Sequence, residues 1–373
     1  MHYSFWGIMK KKDEQNNFTK GKENEHNTIS TNTNLLFSKP PGINVETSNH
    51  MASSIDRLKD FDSSKQSLWL KYSEDIINEF CTLLPEFPRI KPKVREDIRC
   101  PEEALLTQVG CAYAFLASKR REVAKLLKHG PLRHQFGLFN KPGFASIDDF
   151  NLSKDIPSQK DKIYEHLSLL INQPNPFIEV KKNNREAEGF SIYTITFKMK
   201  PDEIEQVHKK NLDSNKPFIE NDTVLTITFS DYGKNDNRTS IVIDHRPTPF
   251  AENYTSESSY FKVQFELIEP YFQACQAWEP SDGINHFLEN AGRIAYILAR
   301  MQPVGRGNSA IVEWIIRGLA QTKNIELGPF NPDEKIGWDF KAFLTPEIQD
   351  YAHWFSEKAF AHSQLKNVTS LGQ

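Results

Sequence analysis

Apolar residues recur every three or four positions along much of the chain, and this spacing is typical of helices that bury one face. The clearest case lies at 283–301, where the apolar positions are Ile284, Phe287, Ala291, Ile294, Leu298 and Met301. Pro303 disfavours helical backbone at the residue before it, so this helix is expected to end there. The same spacing predicts further helices over 66–84, 101–130, 159–171, 260–278, 309–322 and 344–362. In the first of these the expected buried face is Leu68, Tyr72, Ile76, Phe80 and Leu83.

Between residues 176 and 246 the period changes to alternation, which is typical of half-buried strands. The alternating runs, rich in Ile, Val, Thr and Phe, are 176–182, 189–199, 223–230 and 239–246. Their polar connections predict two β-hairpins that form an antiparallel sheet of about four strands. A helix is expected over 201–210. Residues 131–160 are expected to form a loop, with a turn at 141–150. The predicted fold class is α+β and mostly helical.

The first fifty residues are rich in Asn, Lys, Glu and Thr and contain few apolar residues. Such a segment buries too little surface to offset its ordering entropy, so residues 1–50 are predicted to be a disordered leader, and Met51 would also suit a start codon. The rest divides into an N-terminal helical region, an antiparallel β region with short helices, and a C-terminal helical core that carries the loop 302–310. The expected boundaries are 51–160, 161–250 and 251–373. One large domain or two joined ones both suit this length.

Charge and cysteine usage exclude several classes of function. The formal net charge is −3 with Lys and Arg scattered along the chain, so no nucleic-acid partner is expected. No apolar run is long enough to cross a bilayer, so a soluble, cytoplasmic protein is expected. Cys81, Cys100, Cys111 and Cys275 show no paired short spacing, which predicts neither a zinc site nor a disulfide framework. No metal-ligand motif is present.

The stretch "MQPVGRGNSAIVEW", residues 301–314, separates two predicted helices. A glycine-bearing loop that enters a helix can direct backbone N–H groups into one concavity, where the helix dipole favours an anion. Asn308 or Ser309 is expected to cap the helix, and Arg306 offers a guanidinium suited to phosphate or carboxylate. The predicted anion- or nucleotide-binding residues are Gly305, Arg306, Gly307, Asn308 and Ser309. The alternative is a plain helix–turn–helix connection with Arg306 in solvent.

The order of elements, a hairpin, two helices, this loop and another helix, resembles the core of the Fic/Fido family over about residues 220–360. The family signature is His-Pro-Phe, two variable residues, then Gly-Asn-Gly-Arg. Pro303, Gly307 and Asn308 match it, Val304 stands for Phe, and Gly305 with Arg306 forms the variable pair. The resemblance implies a Fido-like helical core and an upstream hairpin that clamps a target protein.

The loop departs from the signature at its two ends. Gln302 occupies the place of the histidine base, and an amide cannot titrate near neutral pH. Ser309 and Ala310 replace the closing Gly-Arg, whose arginine holds nucleotide phosphates. Some Fido-fold effectors of plant-pathogenic bacteria also lack the standard signature. The resemblance therefore implies a bacterial, host-directed effector with an altered active site.

Such an effector is expected to bind a phosphate-bearing small molecule and to transfer part of it to a hydroxyl of a host protein target. Its cofactor would be a nucleotide, with Mg²⁺ if the chain is catalytic. An Asn- and Lys-rich leader without a signal peptide fits delivery into a host cell.

The predicted catalytic residues are Glu313, His245 and Gln302, and the predicted supporting residues are His286, Arg293 and Arg317. Glu313 lies four residues before Arg317, so a helix-face ion pair is the alternative to catalysis. His286 lies beside the apolar stripe and is expected to be partly buried. Two other functions stay open: an interaction module that binds a partner by strand addition, and an enzyme of unrelated fold that uses Arg306 and Glu313.

Overall fold

The computed structural model describes residues 63–128, 131–140, 147–185, 188–202, 205–206, 223–245 and 257–366. In these residues the helices are α1 (Ser63–Leu83), α2 (Gln108–Leu126), α3 (Lys160–Asn172), α4 (Glu257–Ala277), α5 (Ile284–Met301), α6 (Asn308–Thr322), α7 (Trp338–Leu344) and α8 (Ile348–Lys358). The strands are β1 (Ile147–Asn151), β2 (Ile178–Arg185), β3 (Phe190–Lys198), β4 (Thr223–Asp231), β5 (Ser240–Asp244), β6 (Ile325–Leu327) and β7 (Ser363–Leu365). This mixture of helices and antiparallel sheet confirms the α+β class.

Five of the strands form one antiparallel sheet in the order β1-β5-β4-β3-β2. Alternate residues of its central strands point into the core, as the sequence pattern requires. Ile195 pairs with Ile227, Ile227 pairs with Ile243, and all three are fully buried. Helices cover this face, since Phe340 of α7 contacts Phe150 of β1 with 5.1 Å between ring centroids.

Strand β1 corrects the expectation that 131–160 is a loop. Ile147 pairs with Asp244 and Phe150 pairs with Ile241, so β1 forms the edge next to β5. Of its five residues only Phe150 is buried, which is why the segment shows no alternation of apolar and polar residues. The leader 1–50 and most of the helix expected over 201–210 lie outside the described residues.

Helix α5 follows its prediction closely. The apolar stripe is buried from Phe287 to Met301, and the helix ends at Met301, two residues before Pro303. Gln302 takes the left-handed conformation with φ 42°. The expected helix stop at Pro303 is therefore confirmed.

Two other helices differ from their predicted faces or bounds. Leu68 of α1 is 42% exposed, because the neighbouring Trp69 is buried and stacks on Trp314 of α6 with 5.5 Å between ring centroids. Helix α2 begins at Gln108 rather than near residue 101. Thr107 ends a 3-10 turn and caps α2, its hydroxyl accepting from the Gly110 N–H at 3.0 Å.

All described residues belong to one compact unit, and the three regions expected from the sequence contribute to one hydrophobic core. Of the two arrangements that the length allowed, the described part of the chain has the single unit. None of its helices combines the length and the apolar character that a membrane span requires.

Candidate functional site

The loop between α5 and α6 packs against residues 135–140. The Gly305 N–H donates to the Leu138 carbonyl at 2.9 Å, and the Arg306 carbonyl accepts from the Gly137 N–H at 3.0 Å. Val304, the residue before Gly305, is fully buried opposite Phe139. The Gly305 amide, which the sequence placed in an anion hole, is therefore bonded to a neighbouring carbonyl.

The two residues expected to cap α6 do not do so. Gly307, with φ 86°, precedes the first helical residue, Asn308. The Asn308 side chain instead donates to the Leu298 carbonyl at 2.8 Å and accepts from the Tyr113 hydroxyl at 2.6 Å. Ser309 donates to the Asp339 carboxylate. The capping prediction was wrong because these side chains have buried partners on other helices.

A buried arginine, Arg120, lies beneath the loop. The Arg120 guanidinium lies 5.0 Å from the Trp69 ring and 4.2 Å from the Phe136 ring. A Cβ at Gly307 would lie 2.8 Å from the Arg120 Cγ, so glycine is required there by space as well as by φ. Arg306 itself is partly exposed and donates from Nε to the Gln135 side chain at 3.1 Å. Burial lowers the pKa of Arg120 to about 9.

Glu313 and Arg317 form a buried ion pair, with 2.7 Å between Oε1 and Nε and about 5% of each side chain exposed. Arg317 also donates to the Leu327 carbonyl at 2.9 Å and to the Gly328 carbonyl at 3.0 Å. These contacts fasten α6 to β6. They correspond to the helix-face ion pair that was the alternative to catalysis.

The supporting residues of α5 lie apart from the loop's polar contacts. His286 is exposed, which corrects the expectation of partial burial, because the buried position is the adjacent Phe287. Arg293 donates to the Gln349 side chain at 2.7 Å and lies 5.7 Å from the Tyr271 ring centroid. Its role in the structure is to join α5 to the start of α8.

Two of the predicted catalytic residues meet at a carboxylate that the sequence reasoning missed. The Gln302 Nε2 donates to the Asp148 Oδ2 at 2.9 Å. The His245 Nε2 lies 3.4 Å from the same oxygen. We call Asp148, His245 and Gln302 the carboxylate–imidazole site.

The sheet explains why these residues converge. Asp148 pairs with Ile243, and His245 lies two residues after Ile243. Residues two apart along a strand point to the same face, so Asp148 and His245 are on the same, inward side at one end of the sheet. Gln302 reaches them from the end of α5. The sequence would have pointed to Asp148 only if strand β1 had been predicted.

The hydrogen bond at Nδ1 fixes the tautomer of His245. Its Nδ1 lies 3.0 Å from the Arg300 carbonyl, and a carbonyl can only accept, so Nδ1 carries a proton. In the neutral ring Nε2 is then an acceptor, and it faces another acceptor, the Asp148 carboxylate. Nε2 is buried. It lies within ion-pair distance of Asp148 but forms no hydrogen bond with any described group. With a neutral ring, two acceptors face each other here, and one proton between them would join Nε2 to the carboxylate.

Solvent reaches the site through Asp148, whose side chain is 21% exposed, whereas only 1% of the His245 side chain is exposed. The Gln302 amide donates to the carboxylate and holds it in place beside the imidazole. The arrangement can take a proton at Asp148 and share it with Nε2 of His245. This is the chemistry of a general base.

A second carboxylate, Asp339, lies in the same region and is 2% exposed. Burial raises its pKa to about 6, and the charge of Asp148 also raises it. The Ser309 hydroxyl donates to Asp339 Oδ2 at 2.8 Å and partly opposes this rise. The Ser309 side chain is therefore bonded to Asp339, and Asp339 lies close enough to Asp148 for the charge of Asp148 to act on it.

Replacing Asp339 by Asn is expected to change how stability depends on pH. From about 3.8 to about 6 the folded wild-type chain holds a proton that the unfolded chain releases, so stability falls as pH rises. The loss amounts to about 3 kcal/mol. Urea unfolding at pH 4 and pH 7 should show the variant free of this loss.

The Asp339→Asn variant is compared with the wild type because a second group also titrates in this range. Burial lowers the pKa of His166 to about 4, and this makes stability rise with pH in both proteins. An equal change in stability from pH 4 to pH 7 in variant and wild type would contradict the assignment. Ser309 can still donate to Asn, so packing is retained.

A cavity of about 390 Å³ opens at the same end of the sheet. The ends of β2, β3 and β4 line one side, and the last turns of α5 line the other with Tyr296, Ile297, Arg300 and Met301. Arg300 belongs to both places, since it lines the cavity and its carbonyl accepts a hydrogen bond from His245. The carboxylate–imidazole site and the cavity are therefore neighbours across the end of α5.

Within the residues that the structure describes, no group of three or more His, Cys, Asp or Glu side chains could hold a metal ion. No family model matches the chain. No curated protein matches it either. The function of the site is therefore inferred from its residues and their contacts.

Proposed function

We propose that the protein is an enzyme in which Asp148 acts as a general base during group transfer from a phosphate-bearing small molecule. The observation that carries the proposal is the 3.4 Å approach of the buried His245 Nε2 to the partly exposed Asp148 carboxylate. Two facing acceptors provide a place for one proton. A proton taken from a substrate hydroxyl by Asp148 passes to Nε2 and leaves an ion pair between them.

The acceptor oxygen forms a bond to phosphorus while its proton moves to Asp148, and the bond from phosphorus to the leaving group breaks with its electron pair. The imidazolium of His245 and the carboxylate of Asp148 then hold the proton until water or the leaving group removes it. Gln302 and His245 are positioning residues in this scheme, because solvent reaches the site through Asp148.

The Fic/Fido resemblance supplies the rest of the proposal. The order β4, β5, α4, α5, loop and α6 supports it. In this view Gln302 holds the base instead of being the base, and the proton acceptor comes from β1. The acceptor substrate is a hydroxyl of a host protein, and the protein is a bacterial effector.

Incubation of the full chain with Mg²⁺ and ATP, GTP, UDP-glucose or NAD⁺ tests the proposal, with donor consumption followed by chromatography. Asp148→Asn should reduce kcat by about 100-fold, the usual contribution of a general base. His245→Asn should reduce kcat and also move the acid limb of the pH–rate profile, which a merely structural role would not do. The exposed His286→Asn is the matched control and should leave both unchanged. Consumption of no donor, or equal turnover in Asp148→Asn, refutes the proposal.

A further inference from the structure

The walls of the 390 Å³ cavity leave apolar surface uncovered. Its half-buried apolar residues include Phe177, Ile178, Val224, Leu267, Ile297 and Ile348. Concentrated apolar surface of this kind in a concave site marks a binding site for a ligand with a matching apolar body. Met199 and Met301 also line it, and their unbranched side chains can adapt to a flexible ligand.

Cationic side chains at the same cavity offer contacts to an anionic head group. Lys198, Lys200 and Arg300 line it together with the acidic Asp202 and Glu347. Each lysine has a carboxylate partner, which the head group of a ligand would replace. Lys198 pairs with Glu179 at 3.1 Å and Lys200 pairs with Glu347. Both lysines keep part of their side chains exposed, 29% and 24%, and can turn toward a bound head group.

We propose that this cavity binds an amphipathic small molecule with an apolar body and one anionic head group, a phosphate or a carboxylate. The apolar body lies between the strand ends and Ile297, and the head group contacts the lysines. That this molecule is the substrate depends on the proposed function, because Arg300 places the cavity beside the carboxylate–imidazole site. Its binding does not depend on that function.

Calorimetric titration of the full chain with octyl phosphate, octanoate, 1-octanol and inorganic phosphate tests the inference. One or both octyl anions should bind at least about tenfold more tightly than octanol or inorganic phosphate, a difference of about 1.4 kcal/mol. The tighter of the two anions identifies the head group. Equal binding of octanol refutes the anionic head, and binding by none of the probes refutes the cavity as a ligand site.

Substitutions locate the binding. Ile297→Phe, which fills the cavity, should weaken the tighter octyl anion by about tenfold. The matched control is Leu126→Phe at a position 60% exposed on α2, where affinity should not change. Lys198→Gln with Lys200→Gln should weaken the anion and leave octanol unchanged, and thermal unfolding confirms that each variant folds. Unchanged affinity in Ile297→Phe refutes the assignment to this cavity.

Asp148→Asn separates the inference from the proposed function. It should reduce turnover by about 100-fold and retain binding of the octyl anion. If the cavity variants lose binding and no protein shows turnover, the ligand site is supported and the proposed enzymatic function is refuted. If turnover occurs and no octyl probe binds, the enzymatic function is supported and the ligand site is refuted.

Discussion

Replacing Glu313 by Gln is expected to lower the free energy of unfolding by about 3 to 5 kcal/mol. The substitution removes one charge of a buried pair and leaves the Arg317 guanidinium in the core. Arg317 also contacts the carbonyls of Leu327 and Gly328. These groups are neutral and cannot replace the negative charge of Glu313. Urea unfolding followed by circular dichroism measures the loss.

Two controls distinguish the effect of an uncompensated buried charge from the effect of disrupted packing. Removing both charges with Glu313→Gln and Arg317→Met should recover part of the stability, because no uncompensated charge remains. The exposed pair of Lys162 and Glu165 offers the matched comparison, and Glu165→Gln should change stability little. If Glu313→Gln were no more harmful than Glu165→Gln, the pair would not hold α6 to β6.

Replacing Gly137 by Ala is expected to destabilise the protein by about 2 to 5 kcal/mol, from overpacking and from left-handed backbone together. Gly137 has φ 66°, and an added Cβ would lie 2.1 Å from the Ala117 carbonyl oxygen of α2. Its N–H donates to Arg306, so displacement of this residue also removes a contact of the loop. Chemical unfolding measures the first effect, and faster hydrogen exchange at Gly305 measures the second.

Gly189→Ala is the matched control, since Gly189 has a similar φ of 73° and its added Cβ would meet nothing within 4 Å. Its loss should be limited to the backbone preference, about 1 kcal/mol. Equal losses at Gly137 and Gly189 would show that the close approach to α2 has no energetic consequence.

The loop shows how far local sequence reasoning reaches. Pro303 and the apolar stripe before it indicated correctly where α5 ends. The glycines indicated a tight turn into α6, and Gly307 has the expected positive φ. What the loop's polar groups contact was not predictable, because Leu138, Tyr113 and Asp339 lie far away in sequence. The resemblance to the Fic/Fido family stays a prediction.

The candidate site shows the same limit. His245 and Gln302 were singled out from the sequence, Gln302 because it occupies the place of the histidine base in the Fic/Fido signature. Asp148, which joins them, lies 154 residues before Gln302 in a segment without a strand pattern. Arg120 was likewise absent from the predicted site residues, although the rings of Trp69 and Phe136 enclose its guanidinium.

The sequence by itself predicted seven of the eight described helices, four of the seven described strands and the break at Pro303, but not α7, β1, β6 or β7. Helical spacing, alternation and proline sterics all act between residues a few positions apart. Only the tertiary structure decided that β1 joins the sheet, that Trp69 rather than Leu68 faces the core, and that Asp148 meets His245. Those outcomes depend on which distant surfaces pack together, and a pattern within one segment contains no information on its partner.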